Sequence, residues 1–270
     1  MLWICPLCQH PLTSNANGVG CPSRHQFDRA KEGYVNLLPV HHKNSKNPGD
    51  NPAMIAARRH FLTAGHYQPL ANAIEQLLPR EGVHTLLDIG CGEGYYSQFI
   101  SQHRPSCLIY GIDISKAAVK AAAKSAPSQH FAVASAYQLP LADASMDAML
   151  RVYAPSDDQQ MHRVLKPGGY LLTVTPAPEH LLQFKQRVYA EVRLHDEQIA
   201  TVQGMHHHTR QRLSWRWQAD DAHSLLALLE MIPLAYKFDQ AKRDALATEL
   251  PAIQLDFYLD LYQRQHPAAL

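Results

Sequence analysis

The sequence predicts an α/β fold: a doubly wound parallel sheet carried by the later part of the chain, with a small zinc ribbon in front of it. Three observations lead there. From Thr85 to about residue 175 short apolar runs alternate with helical patterns, the mark of consecutive βαβ units. The first run leads into Leu86-Leu87-Asp88-Ile89-Gly90-Cys91-Gly92-Glu93-Gly94, a buried strand that opens into a glycine turn. And Cys5, Cys8, Cys21 and His25 fall within one short N-terminal stretch.

The N-terminal stretch, residues 1–35, comes first. Its spacing is C-x2-C-x12-C-x3-H. A C-x2-C knuckle turns two thiolates toward one point, and a hairpin-sized loop brings the second pair back. Three sulfurs and one imidazole nitrogen close a tetrahedral shell, which suits a structural zinc ion with no open position for catalysis. His10 is a second candidate for the fourth place, but the x3 spacing after Cys21 favours His25. Cys91 lies between the loop glycines and Cys107 reads as a buried strand residue. In a reducing compartment such cysteines point to metal rather than to disulfides.

Residues 36–83 are expected to form a linker and helices. Positions 36–52 are polar, rich in Asn, Lys, His and Pro, and lack periodicity. Helices follow over 53–62 and 68–78, the second stopped by Pro79 and Gly82. Residues 84–270 form the sheet domain. Strands are predicted near 84–89, 107–112, 129–133, 147–152 and 169–175, with helices near 94–103, 115–125 and 157–164. Beyond Pro178 the pattern predicts a long helix from His180 to Leu194. A polar, His-rich stretch follows over 195–209, with His206-His207-His208 read as a solvated loop. A strand around Leu213, Trp215 and Trp217, a helix near 221–231 and a last antiparallel strand at the sheet edge, over Ile253 to Leu261, complete the chain.

Bulk composition excludes little. The net charge is +1 over 270 residues. Residues 24–59 are locally basic, with Arg24, Arg29, Lys31, Lys43, Lys46, Arg58 and Arg59 against Asp28, Glu32 and Asp50, a pattern suited to phosphates. The start, Met1-Leu2-Trp3-Ile4-Cys5, has no basic n-region. Nor does any stretch reach the ~18 apolar residues of a membrane span. A cytoplasmic protein with no membrane partner is expected.

The glycine turn carries the chemistry. Dinucleotide sites use G-x-G-x-x-G with a pyrophosphate on the helix N-terminus. Here the pattern is G-x-G-x-G, with carboxylates at Asp88 and Glu93 that would repel a pyrophosphate. They suit a ligand carrying an amine and a sulfonium, namely S-adenosyl-L-methionine. Asp113 ends the next strand, 23 residues after Gly90, near the ~20-residue spacing at which an acid meets a ribose diol. The fold class is therefore a class I (Rossmann-like) S-adenosylmethionine-dependent methyltransferase with an N-terminal zinc ribbon. Gly90, Gly92, Gly94, Asp88, Glu93 and Asp113 are its candidate cofactor residues. At the fourth strand, Arg151-Val152-Tyr153-Ala154-Pro155 lacks the Asn/Asp-Pro-Pro-aromatic motif of amino-adenine enzymes and the cysteine of pyrimidine-C5 enzymes. No general base can be assigned. Asp50, His66 and Arg151 are candidates, although Arg151 and Tyr153 could simply line the acceptor pocket. Tyr34, Trp215 and Trp217 are candidates for stacking on bases, the two tryptophans being more often core residues.

Four blocks are specific enough to name a resemblance: Cys-Pro-Leu-Cys at 5–8, Cys-Pro-x-x-His-Gln-Phe-Asp at 21–28, Ala-Lys-Glu-Gly-Tyr-Val-Asn-Leu-Leu-Pro at 30–39 and Asp-Ile-Gly-Cys-Gly-Glu-Gly-Tyr-Tyr at 88–96. The chain resembles the RlmA-type 23S rRNA (guanine-N1)-methyltransferases over essentially its whole length. The resemblance implies one structural Zn2+ on Cys5, Cys8, Cys21 and His25, and cofactor contacts at Gly92-Glu93, Tyr67 and His180. It also implies 23S rRNA as partner, with the target guanine in the hairpin 35 region at position 745, and a homodimer whose zinc modules flank an RNA-binding cleft. Two rivals remain: a small-molecule methyltransferase and a non-catalytic zinc-ribbon RNA-binding protein.

Overall fold

The computed structural model describes residues 1–39 and 51–266. Three short strands, β1 (Thr13–Asn15), β2 (Gly18–Gly20) and β3 (Gln26–Asp28), form a small antiparallel sheet. Trp3, Leu12 and Val19 from this ribbon pack with Leu139 and Leu141 against one face of a larger sheet. Next comes β4 (Val35–Asn36), too short for periodicity to announce it. It pairs in parallel with β7 (His130–Val133) and so stitches the ribbon segment to the edge of the large sheet.

Helix α1 (Pro52–Thr63) starts where its sequence says it should. The Asn51 side chain accepts from the Met54 N–H at 2.9 Å, and Pro52, which lacks a donor, fills the first turn. Helix α2 (Gln68–Leu77) follows. The alternating region then gives β5 (Thr85–Ile89), α3 (Tyr95–His103), β6 (Leu108–Asp113), α4 (Lys116–Ser125), β7, β8 (Met146–Val152), α5 (Asp158–Val164) and β9 (Leu165–Pro176). The rest comprises α6 (Leu182–Val188), β10 (Met205–Trp217), α7 (Ala222–Glu230), a 3-10 turn (Pro233–Lys237), α8 (Gln240–Glu249) and β11 (Ile253–Arg264). Eight strands lie in the order β10-β11-β9-β8-β5-β6-β7-β4. The pairs from β4 to β9 are parallel, and β11 runs antiparallel to both β9 and β10. Chain order reverses at β5, so the loop after β5 sits at the topological switch point, where open α/β sheets bind ligands.

Four expectations need correction. The helix predicted from His180 to Leu194 covers only Leu182–Val188. Leu181 adopts a left-handed φ of 57° and donates its N–H to Gln254 O at 2.8 Å, so β11 holds the segment out of helical geometry. Residues 205–208 are strand, not loop: alternation puts His207 inward, where its Nε2 lies 2.8 Å from Asp260 Oδ1, and leaves His206 and His208 exposed. Strand β11 is antiparallel as predicted but is not the edge, because the longer β10 covers it. Helix α8 was not foreseen, since Gln240-Ala241-Lys242-Arg243-Asp244 is polar on most sides and only Leu246 is buried.

Candidate functional site

The metal centre follows from the knuckle geometry. The donor atoms of Cys5, Cys8, Cys21 and His25 all lie within 4.8 Å of one another. His25 Nδ1 is 3.4 Å from both Cys5 Sγ and Cys21 Sγ, and Cys8 Sγ is 3.6 Å from Cys21 Sγ. A tetrahedral zinc with Zn–S of about 2.3 Å and Zn–N of about 2.0 Å implies edges of roughly 3.5–3.8 Å. The cluster fits a structural zinc, with four protein donors and no fifth position. His10 meets Ser23 Oγ at 3.1 Å and is not part of the four-donor cluster, which His25 completes.

The cofactor loop is built by its neighbours. Gly90, Gly92 and Gly94 have φ of 71°, 54° and 80°, the left-handed region that side chains disfavour. A Cβ on Gly90 would stand 2.5 Å from Ala154 Cβ, whereas one on Gly92 would meet nothing within 4 Å. The loop is therefore packed at one end against the segment that follows β8 and has open space beside its middle. The Gly90 and Cys91 N–H groups both donate to Ile112 O at 2.9 Å. Asp113 accepts from the Gly92 N–H at 3.0 Å and the Ser115 N–H at 2.7 Å. One acid at the end of β6 thus braces two turns.

Asp88 is 2 % exposed and accepts from Ser97 Oγ, on the first turn of α3, at 2.6 Å. Burial pushes its carboxyl up to about 7, opposed by the Ser97 hydroxyl and reinforced by the charge of Asp113. One Glu93 carboxylate oxygen meets Arg59 of α1, and the other is buried with no partner among the described residues.

Tyr67 and His180 converge although 113 residues separate them in the numbering. Both contact Phe257 of β11, with ring centroids at 5.4 and 4.7 Å. Tyr67 is buried at the start of α2, and burial raises its phenol. His180 is buried too, and burial holds its imidazole down to about 3. It is neutral at pH 7, and its Nδ1 accepts the Asp256 N–H at 3.2 Å, so its proton sits on Nε2. Tyr153 closes the group at the end of β8, with a φ of 55° and its ring 6.0 Å from that of His180.

Other candidates fall out differently. Asp50, Lys43 and Lys46 lie outside the described residues. His66 is wedged between Phe61 and Trp217, and burial lowers its pKa. Tyr34 and Trp217 are buried, so neither is presented for stacking on a base, while Trp215 packs on Phe257 at 5.5 Å. Arg58 and Arg59 are engaged with Met231 O and Glu93. Sequence reasoning missed Ser97 and Arg59. Ser97 was visible only as a small polar residue in a first helical turn, and nothing in the sequence signals Arg59.

A methyltransferase is the class that this sheet and loop define. The methyltransferase-domain family model matches residues 86–169, and the model described as RlmA, N-terminal, matches residues 3–46. A putative 23S rRNA (guanine-N(1)-)-methyltransferase of Micromonospora griseorubida is 37% identical over 205 residues, 68% of this chain and 68% of that protein. The 23S rRNA (guanine(748)-N(1))-methyltransferase of Streptomyces fradiae is 36% identical over 184 residues, 66% of this chain and 65% of that protein. A putative methyltransferase solved in complex with the Haloferax volcanii Trm112 methyltransferase activator shares the fold, at a TM-score of 0.51 and 17% identity over 81% of this chain and 100% of its own. The chain belongs to the 23S rRNA (guanine-N1)-methyltransferase family, and its cofactors are S-adenosyl-L-methionine and a structural zinc ion.

Proposed function

We propose that this protein transfers the methyl group of S-adenosyl-L-methionine to N1 of a guanine in 23S rRNA, and that the guanine is number 745 in the hairpin 35 region. The observation that carries the reading is the union, in one chain, of a four-donor zinc ribbon and an intact G-x-G-x-G loop at the switch point of the sheet. Family membership supplies the acceptor. The family's Streptomyces fradiae relative is named for guanine 748, so position 745 rests on overall likeness to the RlmA type.

In this reading Gly90, Gly92 and Gly94 shape the loop that the cofactor lies on. Asp88 and Glu93 face its cationic end, Asp113 takes the ribose diol, and Tyr67 and His180 close over it. When bound, the cofactor supplies an electrophilic methyl on a sulfonium. The protein's part is to exclude water and hold the acceptor in line. His180, with Nδ1 already accepting a backbone N–H, acts as a donor and not as a base. Guanine N1 lies on the Watson–Crick edge, so the target must be unpaired or extruded. The protein works in the cytoplasm as a homodimer. No helix among the described residues is long and apolar enough to cross a membrane.

The test is methyl transfer from labelled S-adenosylmethionine to unmodified 23S rRNA, followed by digestion to nucleosides. The expected product is labelled 1-methylguanosine, at position 745 by primer extension. Cofactor binding with no labelled RNA would overturn the reading in favour of a small-molecule acceptor.

A further inference from the structure

Tyr153 breaks the alternation of the strand it follows. Along β8 the side chains take the two faces of the sheet in turn. Ala148 and Leu150 join the core that holds Tyr67 and Phe257, while Met149 joins the core beneath the zinc ribbon. Val152 packs on the Phe257 side, as its position requires. The next residue should then project to the ribbon side, with Arg151. Tyr153 does not. Its ring lies 6.2 Å from that of Phe257 and 6.0 Å from that of His180. Two consecutive residues thus serve one face.

The backbone is what turns it. The Tyr153 N–H still donates to Val174 O at 3.2 Å, as a strand residue would, but its φ is 55°. That left-handed conformation is strained for a bulky residue, whereas glycine adopts it freely. A position that had only to turn would be met by glycine. Here the strain delivers a ring to a face it could not otherwise reach, and strain of this kind collects at functional sites.

The place it reaches is the cofactor's side of the sheet. Asp88 shares strand parity with Leu86, which lies in the same core as Tyr67 and Phe257. Of the four rings gathered there, Tyr67, His180 and Phe257 are buried, but Tyr153 is 46% exposed. Burial nonetheless raises its phenol, with Tyr67 and Tyr96 as contributing neighbours, so the side chain is set into this group while much of it meets solvent. The following residue, Ala154, is the one that a Cβ on Gly90 would strike at 2.5 Å. Tyr153 is therefore one residue, ~3.8 Å of chain, from the contact that packs the glycine loop.

We propose that Tyr153 is the platform on which the acceptor guanine stacks once it is unpaired, its ring brought to the cofactor's side of the sheet by the left-handed backbone. The inference rests on the guanine-N1 reading above. A base taken out of its stack loses the contact of its neighbours, and aromatic side chains replace it. A guanine laid flat on this ring presents its edges, N1 among them, to what stands beside the ring, and the loop after β5 stands there. Stacking fixes the plane of the base and its distance from the loop. Tyr153 thus binds and orients the acceptor; it takes no proton. Every base has a π-face, so the ring supplies affinity and not the choice of guanine.

The experiment compares wild type with Tyr153→Leu, Tyr153→Phe and Tyr153→Trp. The substrate is hairpin RNA carrying guanosine at the target, and the probe is the same RNA with the fluorescent base 2-aminopurine there. Single-turnover methylation, cofactor binding and melting temperature are measured on each protein, and fluorescence with S-adenosylhomocysteine bound. Tyr153→Leu keeps the bulk but removes the π-face. It should lose about 10- to 100-fold in kcat/KM for RNA, the scale of one base–aromatic stack. Tyr153→Phe and Tyr153→Trp should stay within about threefold of wild type, and cofactor affinity should stay within about threefold in all. Stacking on the ring should keep 2-aminopurine dim in wild type, and in Tyr153→Leu it should brighten several-fold. Full activity in Tyr153→Leu, or unchanged fluorescence, would overturn the inference alone. So would a loss in Tyr153→Phe equal to that in Tyr153→Leu, which assigns the role to the hydroxyl, or a loss that tracks cofactor binding or melting temperature, which marks a structural role. A wild type that makes no 1-methylguanosine would overturn the guanine reading and this inference with it.

Discussion

The zinc ribbon and the glycine loop are both mostly irregular backbone, yet opposite forces hold them. The ribbon has three strands of three residues each, far too little to order itself by burial. Its geometry comes from four donors gathered at one point. The glycine loop has no ligands of its own in the protein. Its shape is set by N–H groups donated to Ile112 O and Asp113 and by the close approach of Ala154 to Gly90. Order imposed by chelation is local and removable, whereas order inherited from packing persists as long as the core does.

The largest effect should come from breaking the first kind of order. In Cys21→Ser the cluster loses a thiolate, and metal affinity should fall by orders of magnitude, since structural zinc contributes roughly 10–16 kcal/mol to small domains of this kind. Hydrogen exchange should then show β1 to β3 unprotected while β5 and β6 keep their protection. Cofactor affinity should change by no more than about twofold, a shift of ~0.4 kcal/mol. Loss of protection around Gly90 in the same variant would mean the two regions are coupled through Trp3 and Tyr110, whose rings meet at 5.0 Å.

Two glycine substitutions separate packing from ligand approach inside the loop. Gly90→Ala adds a methyl 2.5 Å from Ala154 Cβ at a φ of 71°. Left-handed strain of about 1–2 kcal/mol and overpacking of about 1–3 kcal/mol should together lower stability by roughly 2–5 kcal/mol in denaturant titration. Gly92→Ala, at a φ of 54° with open space beside it, should cost only the strain, roughly 1–2 kcal/mol. Its larger effect should be on cofactor binding, measured by calorimetry. Equal stability losses in both would show that the middle of the loop is as tightly packed as its end.

That contrast also explains what could be read from the sequence. The Gly90, Gly92 and Gly94 pattern, the acid at Asp113 and the C-x2-C knuckle are local signals, because a turn, a strand end and a chelating loop each fix their residue types within a few positions. The sheet was legible for the same reason: β5 to β9 carry their apolar runs in sequence. What escaped notice depends on partners far along the chain. Leu181 leaves helical geometry because Gln254 accepts its N–H. Strand β10 reaches back to Met205 because β11 pairs with it residue by residue, and the arginine–aspartate pairs between those strands join residues 44 and 50 positions apart. Val35 and Asn36 became a strand only because β7 offered an edge.

A smaller effect, and a sharper one, lies in the pH dependence of the packed region. Asp88 titrates near 7 because it is buried. A folded value raised above the unfolded one means this site favours folding most below the ordinary carboxylate range, and that contribution is lost as pH rises through 7. A cationic cofactor reverses the preference by stabilising the carboxylate. Cofactor affinity should therefore rise about tenfold between pH 6 and pH 8, as one proton is released on binding. Asp88→Asn should bind weakly and flatten the profile. Cys21→Ser should keep the wild-type slope, since the ribbon takes no part. A flat wild-type profile would place the cofactor's charge away from Asp88.

The smallest expected effect tests the one tie that joins the loop to the helix before it. Arg59 lies on α1 with its side chain 56% exposed, and it meets the nearly buried Glu93. An ion pair this open contributes at most about 1 kcal/mol, so Arg59→Ala should lower the melting temperature by only a few degrees. The consequence for binding is more informative. In the free protein Arg59 competes for the carboxylate proposed to face the cofactor's cationic end. Removing it should tighten cofactor binding by about threefold, or ~0.6 kcal/mol, and the gain should vanish in 0.5 M salt, where the wild-type pair is itself screened. Weaker binding in Arg59→Ala would mean that the arginine holds Glu93 in its working position, and that even this loop, ordered mainly by packing, depends on one surface charge.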